Sequence, residues 1–340
     1  MASEKTASQP LRVTLTRFRF RLAGFSEAVT LVSFLAVFLF FAFGAEHFLT
    51  SVAIANILTL ASITGIVVVG VAMLMISGEF DISVGSTFAV ASYVFALTLK
   101  AGAGPLPAIL LALLVSLALG LVNGVIVAGT GIPSFITTLG TMLAYRGIAR
   151  VIGGGVFATY EGERLALFGV LNGPIEALNR LSLPPSNFRV SIVWFIAIAV
   201  VASLALLRTR FGNWVFASGG NPGAALAQGV PVKRVKVICF VLAGLLAGLA
   251  SVIQFSHRTS VDPLRGEGLE LIAITACVIG GVRLGGGYGS VAGACLGAVL
   301  LHMLEQGLVL MEIPVQVFQA VAGTILIVAV ISNTYLGGQQ

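Results

Sequence analysis

Charge is what this sequence has least of. Only 9% of its 340 residues are Asp, Glu, Lys or Arg, against about 25% in soluble domains, and that shortage excludes an ordinary water-facing surface. Histidine and cysteine number three each, and Cys239, Cys277 and Cys295 all fall inside apolar stretches. Their spacing fits neither a metal site nor a disulfide framework, so they read as small buried hydrophobes. No G-x-x-x-x-G-K-[ST] segment occurs, which excludes a Walker A phosphate cradle in this chain. A G-x-G-x-x-A match at 287–292 sits between apolar runs, not between a strand and a soluble helix, and is no dinucleotide site.

Apolar residues make up 58% of the chain, and they come in runs of the length that crosses a ~30 Å hydrocarbon core as a helix. The candidate spans are 29–45, 52–77, 84–99, 106–128, 132–152, 190–207, 236–256, 268–282, 287–308 and 313–332. The runs are continuous rather than alternating, which favours helices over barrel strands. The expected fold is therefore all-α, a polytopic membrane protein with about ten transmembrane helices, some of them discontinuous. It divides into a basic tail (1–28), a transmembrane domain (29–332) and a short C-terminal tail (333–340). The first run, "LVSFLAVFLFFAFGA", has features of a signal peptide. Its long leader and the runs that follow favour an uncleaved first span.

A net charge of +6 would suit nucleic acid, but the basic residues lie where membrane topology wants them. Lys5, Arg12, Arg17, Arg19 and Arg21 crowd the N-terminal tail. Arg208, Arg210, Lys233, Arg234 and Lys236 occupy 208–236 without one acid among them. Both segments read as cytoplasmic. The longest loop, 153–189, balances Arg164, Arg180 and Arg189 against Glu161, Glu163 and Glu176 and reads as the outer face. An even number of spans then puts both termini in the cytoplasm.

Four polar features interrupt the apolar pattern. "GEFDISVGS", 78–86, breaks the chain between two spans: Gly78 closes one helix, and Asp81 or Ser83 caps the next, near Gly85 and Ser86. The second of those spans, 84–99, extends only about 24 Å as a helix, so the break itself makes part of the crossing. Asp81 reads as a cap or as a pathway residue. Capping does not call for Glu79. "GGVRLGGGYGS", 280–290, looks like a second break, with Gly281, Gly286, Gly287, Gly289 and Ser290. His302 and Glu305 share a helical face, either as a proton relay or as a pair reaching toward water. Arg146 and Arg150 also share a face, lining an aqueous path, pairing with a carboxylate or snorkelling.

Within the basic inner loop, Asn221 is a helix N-cap, Pro222 suits the first helical position, and residues from Ala224 and Ala225 to Gln228 favour helix. Gly229 can close it with positive φ. A helix of about two turns is expected there, either an ordinary loop helix or a peg that receives a push from a soluble motor.

Four segments carry a family resemblance: "GEFDISVGS" from 78, "NGVIVAGTGIPSFITTLGTMLAYRGIA" from 123, "ASGGNPGAALAQGVPVKRVK" from 217 and "IAITACVIGGVRLGGGYGSVAGACLGAVLL" from 272. In that order they resemble the permease subunits of bacterial ABC importers of the ribose type, which serve monosaccharides, polyols and related solutes. The resemblance implies a non-enzymatic transport subunit in the inner membrane that moves a sugar inward by alternating access. It implies no cofactor in this chain, since ATP and Mg are bound by a separate ATPase subunit. A periplasmic sugar-binding protein, a second permease chain in a homodimer and membrane lipid are the other implied partners; nucleic acid is not. It also makes 221–229 the helix that seats in the ATPase. The family pattern runs Gly-Gly-Ile-Asp-Leu-Ser-Val-Gly-Ser, so Asp81 matches while Glu79 and Phe80 depart. The competing class is a proton- or sodium-coupled secondary transporter, which wants acids within its spans. A passive channel or scaffold would leave the capped inner helix unexplained.

Overall fold

A computed structural model describes residues 25–162, 165–182 and 185–337. The basic residues of the N-terminal tail lie outside that range, as do Glu163, Arg164, Pro184 and the last three residues. A helix stands on each of the ten expected spans: α1 (Phe25–Gly44), α2 (Ser51–Ile76), α3 (Val84–Lys100), α4 (Pro105–Thr130) and α5 (Ser134–Ile152) in the first half. The outer loop then holds β1 (Ala158–Thr159) and the short α6 (Ala166–Asn172) and α7 (Glu176–Leu181). After it come α8 (Val190–Arg208), α9 (Arg210–Gly220), α10 (Pro222–Ala227), α11 (Val232–Arg258), β2 (Ser260–Val261), α12 (Leu269–Ile279), α13 (Val291–Leu310) and α14 (Val315–Gly337). Among the described residues, five of these helices, α2, α4, α8, α11 and α13, are by themselves long and apolar enough to cross a membrane. α14 runs five residues past the expected end of its span at 332 and takes in most of the expected tail.

α2 is the spine. Every residue from Ala61 to Ile76 is buried, because α8, α11, α12 and α13 all pack around it. A helix that is apolar on every face belongs in such a central position. α11 lies tightest against α4, and the small residues between them explain why. A Cβ on Gly244 would come within 2.6 Å of the Ser116 carbonyl oxygen and 3.0 Å of the Gly120 Cα, so only glycine permits this backbone approach.

The two ends of the bundle are built differently. At one end β1 pairs antiparallel with β2, Ala158 opposite Val261, which joins the long loop to the C-terminal end of α11. At the other end lie α9 and α10, followed by the start of α11. Twenty-seven residues of α11, about 40 Å of helix, separate the two. The long loop and the basic loop therefore occupy opposite ends, as the charge pattern requires.

Candidate functional site: two helix breaks and a capped helix

The first break begins with a Schellman motif. Gly78 at φ +87° lets its amide reach the Met75 carbonyl at 2.9 Å and the Glu79 amide reach that of Leu74 at 3.2 Å. Both bonds satisfy carbonyls that the end of α2 would otherwise leave bare. Asp81, 1% exposed, takes a different position from the expected cap. Ser83 occupies the N-cap of α3 but makes no side-chain cap bond. Asp81 Oδ1 instead accepts from the Ser83 amide at 2.7 Å and from Ser83 Oγ at 2.6 Å. The carboxylate thus holds the turn just ahead of the helix rather than the helix's own first amides.

The rest of the break is held by residues that sequence reasoning did not single out. Asn123 on α4 donates from Nδ2 to Asp81 Oδ2 (3.2 Å) and to Ser83 Oγ (2.7 Å), and Tyr145 on α5 donates to Asn123 Oδ1 at 3.1 Å. Ser134 Oγ and Thr138 Oγ1 accept from the amides of Phe80 and Ile82 at 3.0 and 3.2 Å. Irregular backbone at this depth is tolerable only when its polar groups find such partners. Glu79 has a partner too. It forms an ion pair with Lys236, in the first turns of α11, and neither side chain is more than 18% exposed.

The second break meets the first. The amide of Gly287 donates to the carbonyl of Ile76 at 2.8 Å. Gly219, next to last in α9, lies between them: a Cβ there would overlap the Ile76 carbonyl oxygen and sit 2.5 Å from the Gly287 nitrogen. A Cβ on Gly286 would stand 2.6 Å from the Gly78 Cα. Three chain segments far apart in sequence therefore touch backbone to backbone, and any side chain at these points would force them apart. Ser290 ends the second break as the N-cap of α13, accepting from the Gly293 amide at 3.0 Å. Gly85, Ser86, Gly281 and Gly289 lie outside this contact. Gly85 faces Gly266 and Glu270, and Ser86 Oγ donates to the Ser83 carbonyl at 2.8 Å.

Gly219 and Gly220 lead straight into the capped helix. Asn221 Oδ1 accepts from the Ala224 amide at 3.0 Å, Pro222 opens α10, Gln228 follows it as the C-cap, and Gly229 ends it at φ +81°. Pro222, Gly223, Ala224 and Leu226 are exposed, and only Ala225 turns inward. α9 was not foreseen. Thr209 forms it by kinking the chain after α8 and accepting from the Gly212 amide at 3.2 Å.

The other polar candidates lie elsewhere. His302 bonds Glu305 at 2.9 Å through Nδ1 and Thr64 on α2 at 2.9 Å through Nε2. The ring is buried, with 6% exposed, and ties α13 to α2 rather than reaching toward water. Arg146 donates to the Arg265 carbonyl at 2.6 Å, while Arg150 is exposed. Arg265, in the loop between α11 and α12, pairs with Asp262 at 2.8 Å. Burial pulls its pKa below the ordinary arginine value, and the Asp262 carboxylate opposes that shift. Among the described residues no cluster of His, Cys, Asp and Glu could hold a metal ion.

Comparison with known proteins agrees with this architecture. Residues 53–330 match the family described as branched-chain amino acid transport system / permease component. The ribose import permease protein RbsC of Escherichia coli (strain K12) is 33% identical over 315 residues, covering 92% of this chain and 95% of that one. The autoinducer 2 import system permease protein LsrC of Salmonella typhi is 32% identical over 302 residues, covering 88% and 83%. Such a chain is a multi-pass inner-membrane transport subunit and not an enzyme. By a match that spans most of its length, this chain belongs to the family of transport-system permease components.

Proposed function

We propose that this permease subunit of an ABC importer passes a small polyhydroxylated solute, ribose or a close relative, inward through a pathway that opens alternately to either side. Energy reaches it from a separate ATPase seated on α10, and solute arrives from a periplasmic binding protein at the β1–β2 end. About ten spans, both termini in the cytoplasm and a second copy across the pathway complete the reading.

The observation that carries it is the continuity from α10 to the two breaks. α10 is rigid for its size: Asn221 caps one end, Gly229 turns the other, and the face it presents is small and uncharged. A displacement of α10 passes through Gly220 and Gly219 to Ile76, Gly78 and Gly287 without a flexible side chain between. Packed backbone transmits such a shift because it cannot absorb it by rotamer change. Both helix breaks then move together, and discontinuous helices of this kind form the sites about which membrane transporters alternate access.

The test is co-purification of the tagged chain with an ATPase subunit from its native membrane, repeated with Ala225→Glu. The unaltered chain brings the ATPase with it. Ala225→Glu inserts in the membrane but neither retains the ATPase nor supports uptake; full retention and uptake in this variant would overturn the assignment of α10. A secondary transporter is disfavoured because the two acids of the first break, Glu79 and Asp81, already have structural partners.

A further inference from the structure

Between α8, α9 and the second break lies a cavity of about 280 Å³, at the small end of the ~300–1,000 Å³ found for ligand sites. Leu206, Leu207 and Phe216 form one wall, and the backbones of Gly281 and Gly287 form another. Two of its polar side chains are engaged elsewhere: Ser290 caps α13, and the Tyr288 ring lies 4.7 Å beneath the Arg283 guanidinium. Ser203 is the other polar side chain on the wall. This surface suits hydrocarbon, not a sugar.

The cavity is walled in part by α8, an apolar helix with much of its surface uncovered. Of the five long apolar helices, α8 is the least covered by the rest of the chain. α9 turns Gly212, Val215 and Ser218 inward and leaves Arg210, Asn213 and Trp214 exposed, the pattern of a helix lying in the membrane interface. Arg208 directly follows the cavity-lining Leu207, and Arg210 opens α9. Both are exposed, neither belongs to an ion pair among the described residues, and 208–236 holds no acid to compete for them.

We propose that one acyl chain of an anionic phospholipid of the inner leaflet occupies this cavity, with Arg208 and Arg210 on its phosphate. Basic side chains at the cytoplasmic surface attract such lipids. The site itself stands apart from the transport reading, but its consequence rests on that reading. A chain seated against Gly281 and Gly287 braces the second break where it meets α9, so a bilayer rich in anionic lipid favours the junction as it stands here.

Native mass spectrometry of the detergent-purified full chain, offered equal phosphatidylglycerol and phosphatidylcholine, reads the site directly. The unaltered chain retains phosphatidylglycerol about fivefold over phosphatidylcholine, because both lipids carry a phosphate but only in the latter does choline offset its charge and weaken the attraction to basic side chains. Arg208→Gln with Arg210→Gln removes the preference, and Ser203→Phe, which fills the cavity, lowers retention of phosphatidylglycerol. Equal retention of the two lipids by the unaltered chain, or unchanged phosphatidylglycerol retention in either variant, overturns the proposal. A second readout needs no cavity variant. In a Trp194→Phe chain reconstituted into vesicles, Trp214 fluorescence is quenched at a lower mole fraction of brominated phosphatidylglycerol than of brominated phosphatidylcholine. Identical quenching curves also overturn it. Neither readout involves solute movement, so failure here and failure of the transport reading are distinguishable.

Discussion

The amide of Gly287 donates to the carbonyl of Ile76 across 211 positions of sequence, at 2.8 Å. This bond closes the end of α2 onto the second break, and Gly219 fits beneath it with no room for a Cβ. Gly219→Val would place three carbons where backbone now lies. Overpacking of this kind costs about 1–3 kcal/mol, and here it falls on the junction proposed to transmit motion. The expected outcome is normal membrane insertion, normal retention of the ATPase and loss of most solute uptake. Radiolabelled uptake beside co-purification checks it.

Glu79 and Lys236 test how the break is tied to the inner end of α11. Removing either partner leaves a mostly buried charge alone. A double-mutant cycle with Glu79→Gln and Lys236→Met is expected to give a coupling energy of about 1–2 kcal/mol, within the range for contacting pairs. The exchange Glu79→Lys with Lys236→Glu recovers part of the loss. Thermal unfolding in detergent measures both.

Asn123 carries more of the fold than its place in an apolar helix suggests. Asn123→Leu removes donors to both Asp81 and Ser83 and leaves Asp81 Oδ2 without its donor in a buried site. A buried acceptor left unmade costs about 1–3 kcal/mol, so the melting temperature falls. Val125→Leu, at an exposed position on the same helix, serves as a control with a smaller effect.

Much of this site was legible in the sequence, and the rest was hidden for a physical reason. The ten helices follow from continuous apolar runs, and α10 follows from Asn221, Pro222 and Gly229, because caps are local chemistry. Gly78 closing α2 is local in the same way. Asn123, Tyr145, Ser134 and Thr138 read as scattered polar residues in spans, since only tertiary packing sets α4 and α5 over the break. Glu79 looked unexplained because its partner lies 157 positions away. α9 was hidden because its apolar residues are few and its basic flanks mark a loop, so only Thr209 signalled a helix start. From sequence Asp81 reads as a possible cap of α3; in the fold it holds the preceding turn because Ser83 itself fills the cap position.

His302 separates the two transport classes. With both ring nitrogens bonded, to Glu305 and Thr64, the ring acts as a strut between α13 and α2. His302→Gln is expected to lower thermal stability while leaving uptake within about twofold, as for a lost buried hydrogen bond of about 1 kcal/mol. Uptake abolished at unchanged stability would assign the pair to proton transfer.

The most direct test of the central claim is solute uptake into proteoliposomes that hold this chain with its ATPase, with binding protein and ribose outside. ATP enclosed in the vesicles is predicted to be required, a protonophore is predicted to have no effect, and Gly219→Val is predicted to remove most of the uptake. Uptake without ATP that collapses when the proton gradient is discharged would contradict the account.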